Sequence, residues 1–492
     1  MGELLKKART FEKEYMESGK MDKKRRPAFH LTPLTGWMND PNGFSYYKGE
    51  YHLFYQYYPY KPFWGPMHWG HAVSKDLCRW EYLPCAIAPE EEYEKIGCFS
   101  GNALTLEDGR QLIMYTSVRH EEDLDIQEQS ILTGDGINYS KYEANPVLTA
   151  KDIPLTFNGE NFRDPKIWQG KDGVYRSVCV LCERGDKRDG KVLLFKSKDG
   201  FSWKFENVLY ENKGRFGKMW ECPDYFELDG KQVLIVSPQD MTAKETGAHG
   251  GNCTIAFIGK AENCGDSFSE EGESLLDYGI DFYAAQTLLS PDGRRIMTAW
   301  MNNWDTSGPY RDERSDWTGQ MIFPREISIN NGEIFQKPAR EVKKLVGGHI
   351  LKKDAVLKKG DGSITLSGIE GRKALIRLVV KEAKERFTMH FHGNGENFVE
   401  ISLDPMCETL TYDRTASGSR RLTACISTCP APFADGKCEI TILLDEFSSE
   451  IFTGNGLYAM TNVDYTGDDC TKITFETEGM VDLDIDFGRI LL

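Results

Sequence analysis

Five β-rich apolar runs, each directly after a Gly-containing turn, begin at residues 51, 111, 174, 232 and 294, so successive starts lie 60, 63, 58 and 62 residues apart. The turns are Lys48-Gly49-Glu50, Glu107-Asp108-Gly109-Arg110, Lys171-Asp172-Gly173, Leu228-Asp229-Gly230-Lys231 and Pro291-Asp292-Gly293. A near-constant period of this length means repeated copies of one supersecondary unit. About sixty residues hold four short strands and their loops, which is the size of one β-propeller blade. A second turn recurs as Ser74-Lys75-Asp76-Leu77 and Ser197-Lys198-Asp199-Gly200, with Trp80 and Trp203 shortly after. The period therefore predicts an all-β chain built on a five-bladed β-propeller.

Residues at one phase of the repeat fall in equivalent places of each blade. Ten or eleven residues before the five starts stand Asp40, Ser100, Asp164, Glu221 and Tyr283. If that place is the innermost strand, the five side chains converge on the central axis. Three of them are carboxylic acids, and gathered like charges are costly because burial and mutual repulsion both oppose ionisation. Such a cluster is expected where chemistry uses it. The competing reading, three acids in separate surface turns, makes the shared phase a coincidence. Trp37, Asn39, Gln56, Trp64, Phe99, Arg163, Trp220 and Trp300 accompany these positions. Aromatic faces with polar groups suit a small polyhydroxylated ligand, whose hydroxyls need partners once buried. Taken singly, each aromatic is equally explained by core packing.

Asp40 sits in the stretch Trp37-Met38-Asn39-Asp40-Pro41-Asn42-Gly43. Pro41 disfavours a helical conformation at Asp40, and Asn42-Gly43 is a tight-turn signal. The segment reads as a stiff extended stub holding a carboxylate at its tip. A hairpin whose Asp merely caps the turn fits the same residues.

The formal net charge of -16 opposes binding to nucleic acid or anionic membrane, which needs a concentrated basic patch. The one basic run, residues 23–26, is short and reads as a solvated linker. Thirteen Cys without an apolar secretory segment in residues 1–20 point to a reducing, cytoplasmic setting. Cys179 and Cys182 lie three apart in a strand-like run, so their sulfurs diverge. His390 and His392 share a strand face without a third ligand nearby, and His68-x-x-His71 reads as a loop pair bonded to backbone. No metal site and no cofactor are expected. Cys222, beside Glu221, reads as packing.

Residues 3–18 carry Leu4, Leu5, Ala8, Phe11 and Tyr15 at helical spacing, which predicts a short N-terminal helix. Residues 317–326 read as a last propeller strand closing the ring. Residues 336–345 read as a short amphipathic helix, and Gly347-Gly348 as a boundary. From residue 350 six or more alternating runs return without the period, as in a β-sandwich. The expected organisation is an N-terminal helix and basic linker (1–26), a five-bladed propeller (27–336), a helical linker (337–349) and a C-terminal β-sandwich (350–492).

Trp37-Met-Asn-Asp-Pro-Asn-Gly43, Tyr55-Gln56, Phe99-Ser100-Gly101, Phe162-Arg-Asp-Pro165, Trp220-Glu-Cys-Pro-Asp224 and Asp277-Tyr-Gly-Ile-Asp-Phe-Tyr-Ala284 together resemble glycoside hydrolase family 32. Asp445-x-x-Ser448-x-Glu450-x-Phe452 is similar to the motif in that family's sandwich domain. The resemblance runs from about residue 27 to the end and is nearest the bacterial sucrose or sucrose-6-phosphate branch. Ala285 stands where that branch often has Pro, and Asn102 where a small residue is usual. The resemblance implies that Asp40 is the nucleophile, Glu221 the acid/base and Asp164 the transition-state stabiliser of a retaining β-fructofuranosidase. It implies a small sugar as substrate, no nucleic-acid or membrane partner, and a monomer or homodimer. A fructan exohydrolase, a fructosyltransferase, an inverting propeller glycosidase and a non-catalytic sugar-binding protein remain open alternatives. Arg119, Lys166 and His68 are the candidates to meet a 6-phosphate.

Overall fold

The computed structural model of the chain describes residues 2–22, 24, 26–157, 159–182, 189–247, 249–304, 315–418, 424–464 and 466–492. Lys23 and Arg25 of the basic run lie outside the described residues.

Every one of the five repeats becomes a separate antiparallel sheet, and the periodic apolar runs become their second strands: Glu50–Tyr58, Gln111–Glu121, Tyr175–Leu181, Lys231–Pro238 and Arg295–Trp300. Strands follow one another in order across each sheet. The first strands are Gly36–Tyr47, Gly97–Thr105, Phe162–Gln169, Trp220–Leu228 and Tyr283–Leu289. Each packs against the first strands of the two neighbouring sheets, and the fifth packs back on the first. These are the innermost strands of a closed five-bladed propeller.

Closure differs from the sequence expectation. Residues 317–326 are not one strand. Trp317–Thr318 pairs in parallel with Gly36 and Trp37 of the first blade, while Arg325–Asn330 is the third strand of the fifth blade. Pro324 has no N–H to donate, so a ladder could not run through it unbroken. The expected helix at 336–345 is likewise corrected. Glu333–Pro338 is the last blade strand, and only Arg340–Lys344 forms a 3-10 turn. Gly347 and Gly348 lie inside the following strand, Val346–Lys358.

From Val346 on, a six-stranded and a five-stranded sheet enclose an apolar core that includes Ile376, Phe391, Ile401, Ile442 and Phe487. The sandwich joins the propeller through buried charges rather than grease alone. Asp445 accepts from the backbone N–H groups of Ala28, Phe29 and His30. The His30 ring lies 2.8 Å from Asp445 and 2.9 Å from Glu450. Glu450 also accepts from Phe323 N and from Arg325, which in turn pairs with Asp277 at 2.9 Å. The sandwich motif is thus the joint between the domains. Burial disfavours charge on His30, but its hydrogen bonds to both carboxylates push it up to about 9; against their own burial, the His30 hydrogen bond holds Asp445, and chiefly the Arg325 charge holds Glu450, below the usual carboxylate range.

The N-terminal helix, Glu3–Glu17, buries Leu5, Ala8, Glu12 and Tyr15 against the first blade. Phe11 meets Tyr60 edge-on at 5.3 Å.

Candidate active site

Each innermost strand carries a β-bulge at the same level, two residues facing one on the second strand. Asn39 and Asp40 face Gln56; Phe99 and Ser100 face Thr116; Asp164 and Pro165 face Cys179; Cys222 and Pro223 face Val236; Ala284 and Ala285 face Ala299. Bulges break the two-residue alternation and re-aim side chains, so neighbours in sequence reach one hollow. Asp164, Cys222 and Ala284 adopt left-handed backbone, at φ 61°, 48° and 57°. For Cys and Ala that conformation costs roughly 1 kcal/mol or more, held by the surrounding sheet.

The bulges correct the equal-phase reading. Asp40 and Ser100 are second bulge residues, Asp164 is a first, and Glu221 and Tyr283 are the last paired residues before theirs. Hairpin lengths differ by a few residues between blades, so sequence phase drifts from structural phase. The side chains nevertheless meet in one network. Ser100 Oγ donates to Asp40 Oδ2 at 2.7 Å, and the Cys222 thiol lies 3.4 Å from the same oxygen. Cys222 N donates to Asp164 Oδ2 at 2.9 Å. Arg163 lies between the other two acids, 2.7 Å from Glu221 Oε1 and 3.7 Å from Asp164 Oδ2. Tyr283 Oη donates to Glu221 Oε2 at 2.5 Å.

Burial and the charge of Glu221 push the Asp40 carboxyl above its ordinary range, opposed by hydrogen bonds from Ser100, Asn39 and Cys222. Asp40 Oδ1 is buried without a hydrogen-bond partner among the described residues. Burial raises Asp164 to about 7; Arg163 opposes this, and the charges of Glu221 and Asp40 add to it. Burial and mutual repulsion thus both oppose ionisation of Asp40 and Asp164.

The aromatic expectations divide. Trp37 stacks on Trp304 at 5.9 Å and approaches Trp300 at 6.1 Å, with its indole N–H on Asn39 Oδ1. Together with Met67, Cys222, Tyr283 and Ala284 they form the wall beside the acids. Trp64 is 47% exposed and meets Phe99 edge-on at 6.2 Å, which makes this pair a rim. Gln56 commits its amide to Cys98 O at 3.0 Å and so braces the second blade.

Three residues were missed or misread. Cys222 is more than packing, because its backbone and thiol link Asp164 to Asp40. Thr116 Oγ1 accepts from Asp164 N at 2.9 Å; its place five residues into a repeat run could have flagged it. Gln239 donates to Glu221 Oε2 at 2.7 Å. It lies just past the end of a second strand, where no sequence pattern marks it.

Of the three phosphate candidates, Lys166 sits 3.0 Å from Asp224 and donates to Thr287 O. Lys166 and Thr287 also line a hollow of about 840 Å³ whose lining includes none of the three acids. Arg119 is held by Glu128 and Glu121. Burial lowers His68 to about 4, so it is neutral at pH 7. Cys182 approaches Asp189 at 3.3 Å, and His390 and His392 turn to Glu400 and Asp464 respectively. Among the described residues no three His, Cys, Asp or Glu side chains cluster as metal ligands, and no helix is long and apolar enough to cross a membrane.

Comparison with known proteins places this geometry. The family model "Glycosyl hydrolases family 32 N-terminal domain" matches residues 30–338, and "Glycosyl hydrolases family 32 C terminal" matches 341–487. A sucrose-6-phosphate hydrolase of Zymomonas mobilis is 35% identical over 468 residues, covering 91% of this chain and 88% of that protein. A raffinose invertase of Escherichia coli is 38% identical over 333 residues, 65% of this chain and 66% of its own. The structure of a Bombyx mori family 32 β-fructofuranosidase superimposes with a TM-score of 0.82 at 31% identity, covering 99% of both chains. A mutant of that enzyme in complex with sucrose gives 0.83 at 30% identity, covering 99% of this chain and 98% of its own.

Proposed function

The chain belongs to glycoside hydrolase family 32, and on that premise we propose how its residues perform the family's reaction. It is a retaining β-fructofuranosidase that hydrolyses the terminal β-D-fructofuranosyl bond of sucrose or sucrose 6-phosphate. In the first step an Asp40 oxygen attacks the anomeric carbon of the fructosyl unit. Glu221 gives its proton to the bridging oxygen, whose bond to that carbon breaks, and the glucosyl part leaves. The fructosyl unit is now an ester of Asp40. In the second step water attacks the same carbon, Glu221 takes the water's proton, and Asp40 departs as carboxylate. Two inversions give net retention. Asp164 binds fructose hydroxyls more tightly as positive charge develops on the ring.

The observation that supports these roles is the network itself: Asp40, Asp164 and Glu221 joined through Cys222 and Arg163 on three different blades. Among the described residues Asp40 Oδ1 has no hydrogen-bond partner, which suits the attacking atom. Trp37, Asn39, Gln56, Phe99, Ser100, Trp64, Arg163, Tyr283 and Trp300 are proposed as the binding walls. Residues 27–338 act as the catalytic unit and 346–492 as its support, joined through the short turn Arg340–Lys344. The enzyme works in the cytoplasm on a free sugar, as a monomer or homodimer, without nucleic-acid or membrane partners. The test is Asp40→Ala and Glu221→Ala assayed on sucrose. Loss of about 10⁴-fold or more in kcat is expected for Asp40→Ala. Near wild-type turnover in either variant overturns the assignment.

A further inference from the structure

Glu221 must serve as acid in one step and base in the next, so what holds its carboxyl decides both. Oε1 carries the Arg163 guanidinium at 2.7 Å. Oε2 carries two neutral donors, the Tyr283 hydroxyl at 2.5 Å and the Gln239 amide at 2.7 Å. The two donors occupy different ground. Tyr283 is 1% exposed, sits in the inner wall and also reaches Ser237 O at 2.9 Å. Gln239 is half-buried, and its Oε1 accepts from none of the described residues.

Gln239 is also unusually well fixed for a residue at a strand end. Its N–H donates to Met219 O at 2.8 Å, and its carbonyl accepts from Lys218 N at 2.9 Å. Gly217 turns beneath it at φ 53°, where an added Cβ would lie 2.3 Å from Gln239 O. The chain just before Glu221 is thereby tied to the residue that touches Glu221's carboxyl.

We propose that Gln239 is a positioning residue for the leaving-group half of the reaction. Its Nε2 orients Glu221 Oε2 toward the bridging oxygen, and its open Oε1 receives a hydroxyl of the departing hexose. The inference rests on the reading of Glu221 as acid/base. A group that acts through proton delivery matters most when the leaving group is a poor one, an alcohol, and least when it departs unprotonated.

The experiment compares Gln239→Leu, Gln239→Glu and Glu221→Gln with the unaltered enzyme on sucrose and on p-nitrophenyl β-D-fructofuranoside. Both kcat and kcat/KM are measured across pH, with unfolding temperatures in parallel. Gln239→Leu is expected to lose about tenfold to a hundredfold in kcat on sucrose, the range of a charge-assisted hydrogen bond, and less than about threefold on the aryl substrate. Gln239→Glu keeps the side-chain shape, so it guards against misfolding. Its added negative charge is expected to move the alkaline limb on sucrose upward. Equal losses on both substrates in the Gln239 variants, with a leaving-group-dependent loss in Glu221→Gln, would overturn the inference alone. An even loss in Glu221→Gln would overturn the acid/base reading and this inference with it.

Discussion

Asp164→Asn should make the protein more stable at alkaline pH while disabling it. The Asp164 carboxyl is 5% exposed and raised to about 7 from an ordinary 3.8. A carboxyl whose folded pKa lies above its unfolded value holds its proton more tightly in the fold. Ionising it therefore costs stability, increasingly as pH rises from about 4 to 7, and by a constant amount above that. Roughly three pKa units at about 1.4 kcal/mol each set a ceiling of about 4 kcal/mol. Asp40 and Glu221 share that repulsion, and the Cys222 N–H bond favours the charged form, so about 2 kcal/mol is the expected gain. An Asn keeps an oxygen for Cys222 N and removes the charge. In a chain of this size the gain is about 2–4 °C in unfolding temperature at pH 8, with little or none at pH 4. Scanning calorimetry at the two pH values measures it, alongside kcat on sucrose, expected to fall by about 10³-fold. A gain of equal size at both pH values, or a loss at pH 8, would refute the account of a charge-crowded hollow.

Three further outcomes follow from named contacts. Glu221→Gln removes a charge that raises both Asp40 and Asp164, so the acidic limb of the residual pH–rate profile on the aryl substrate should move to lower pH; an unmoved limb contradicts the coupling. Cys222→Ser should retain most activity, within about tenfold, because a hydroxyl can still donate to Asp40, whereas Cys222→Val should lose more on kcat than on KM; steady-state kinetics separates the two. The joint between domains carries a raised His30 and depressed Asp445 and Glu450. His30's share of the stabilisation is complete between about pH 4 and its unfolded value near 6.5 and is lost as pH rises through about 9, while the carboxylates' share is lost as they protonate below about 4. The unfolding temperature should therefore drop between about pH 6.5 and 9 and level off above that, and His30→Gln should flatten that drop.

Much of this was legible before coordinates, for identifiable reasons. The turns at Gly49, Gly109, Gly173, Gly230 and Gly293 take φ between 78° and 91°, which only glycine adopts freely, so they stood out in the sequence and marked the blades. The three acids followed from the phase of those turns and from the family's motifs. The placement within the blades did not follow. A bulge is a backbone event with no fixed residue signature, and it lets Glu221, Asp164 and Asp40 occupy three successive levels of nearly the same strand position. The non-local partners were equally hidden. Gln239 reaches Glu221 across a hairpin, Cys222 reaches Asp40 across 182 residues, and Asp445 meets His30 across 415. Local propensity misled at 336–345, where good helix formers were claimed by the last blade strand and only five residues were left to turn.

The most direct test of the central claim is to find where the sugar is held between the two steps. Glu221→Gln supplied with p-nitrophenyl β-D-fructofuranoside should form the ester through its activated leaving group and hydrolyse it slowly for want of a base. Acid quenching, proteolysis and peptide mass analysis should find a hexosyl adduct on the peptide containing residues 37–43, fragmenting to Asp40. An adduct on any other carboxylate, or turnover of that variant with inverted product and no adduct, would contradict the account.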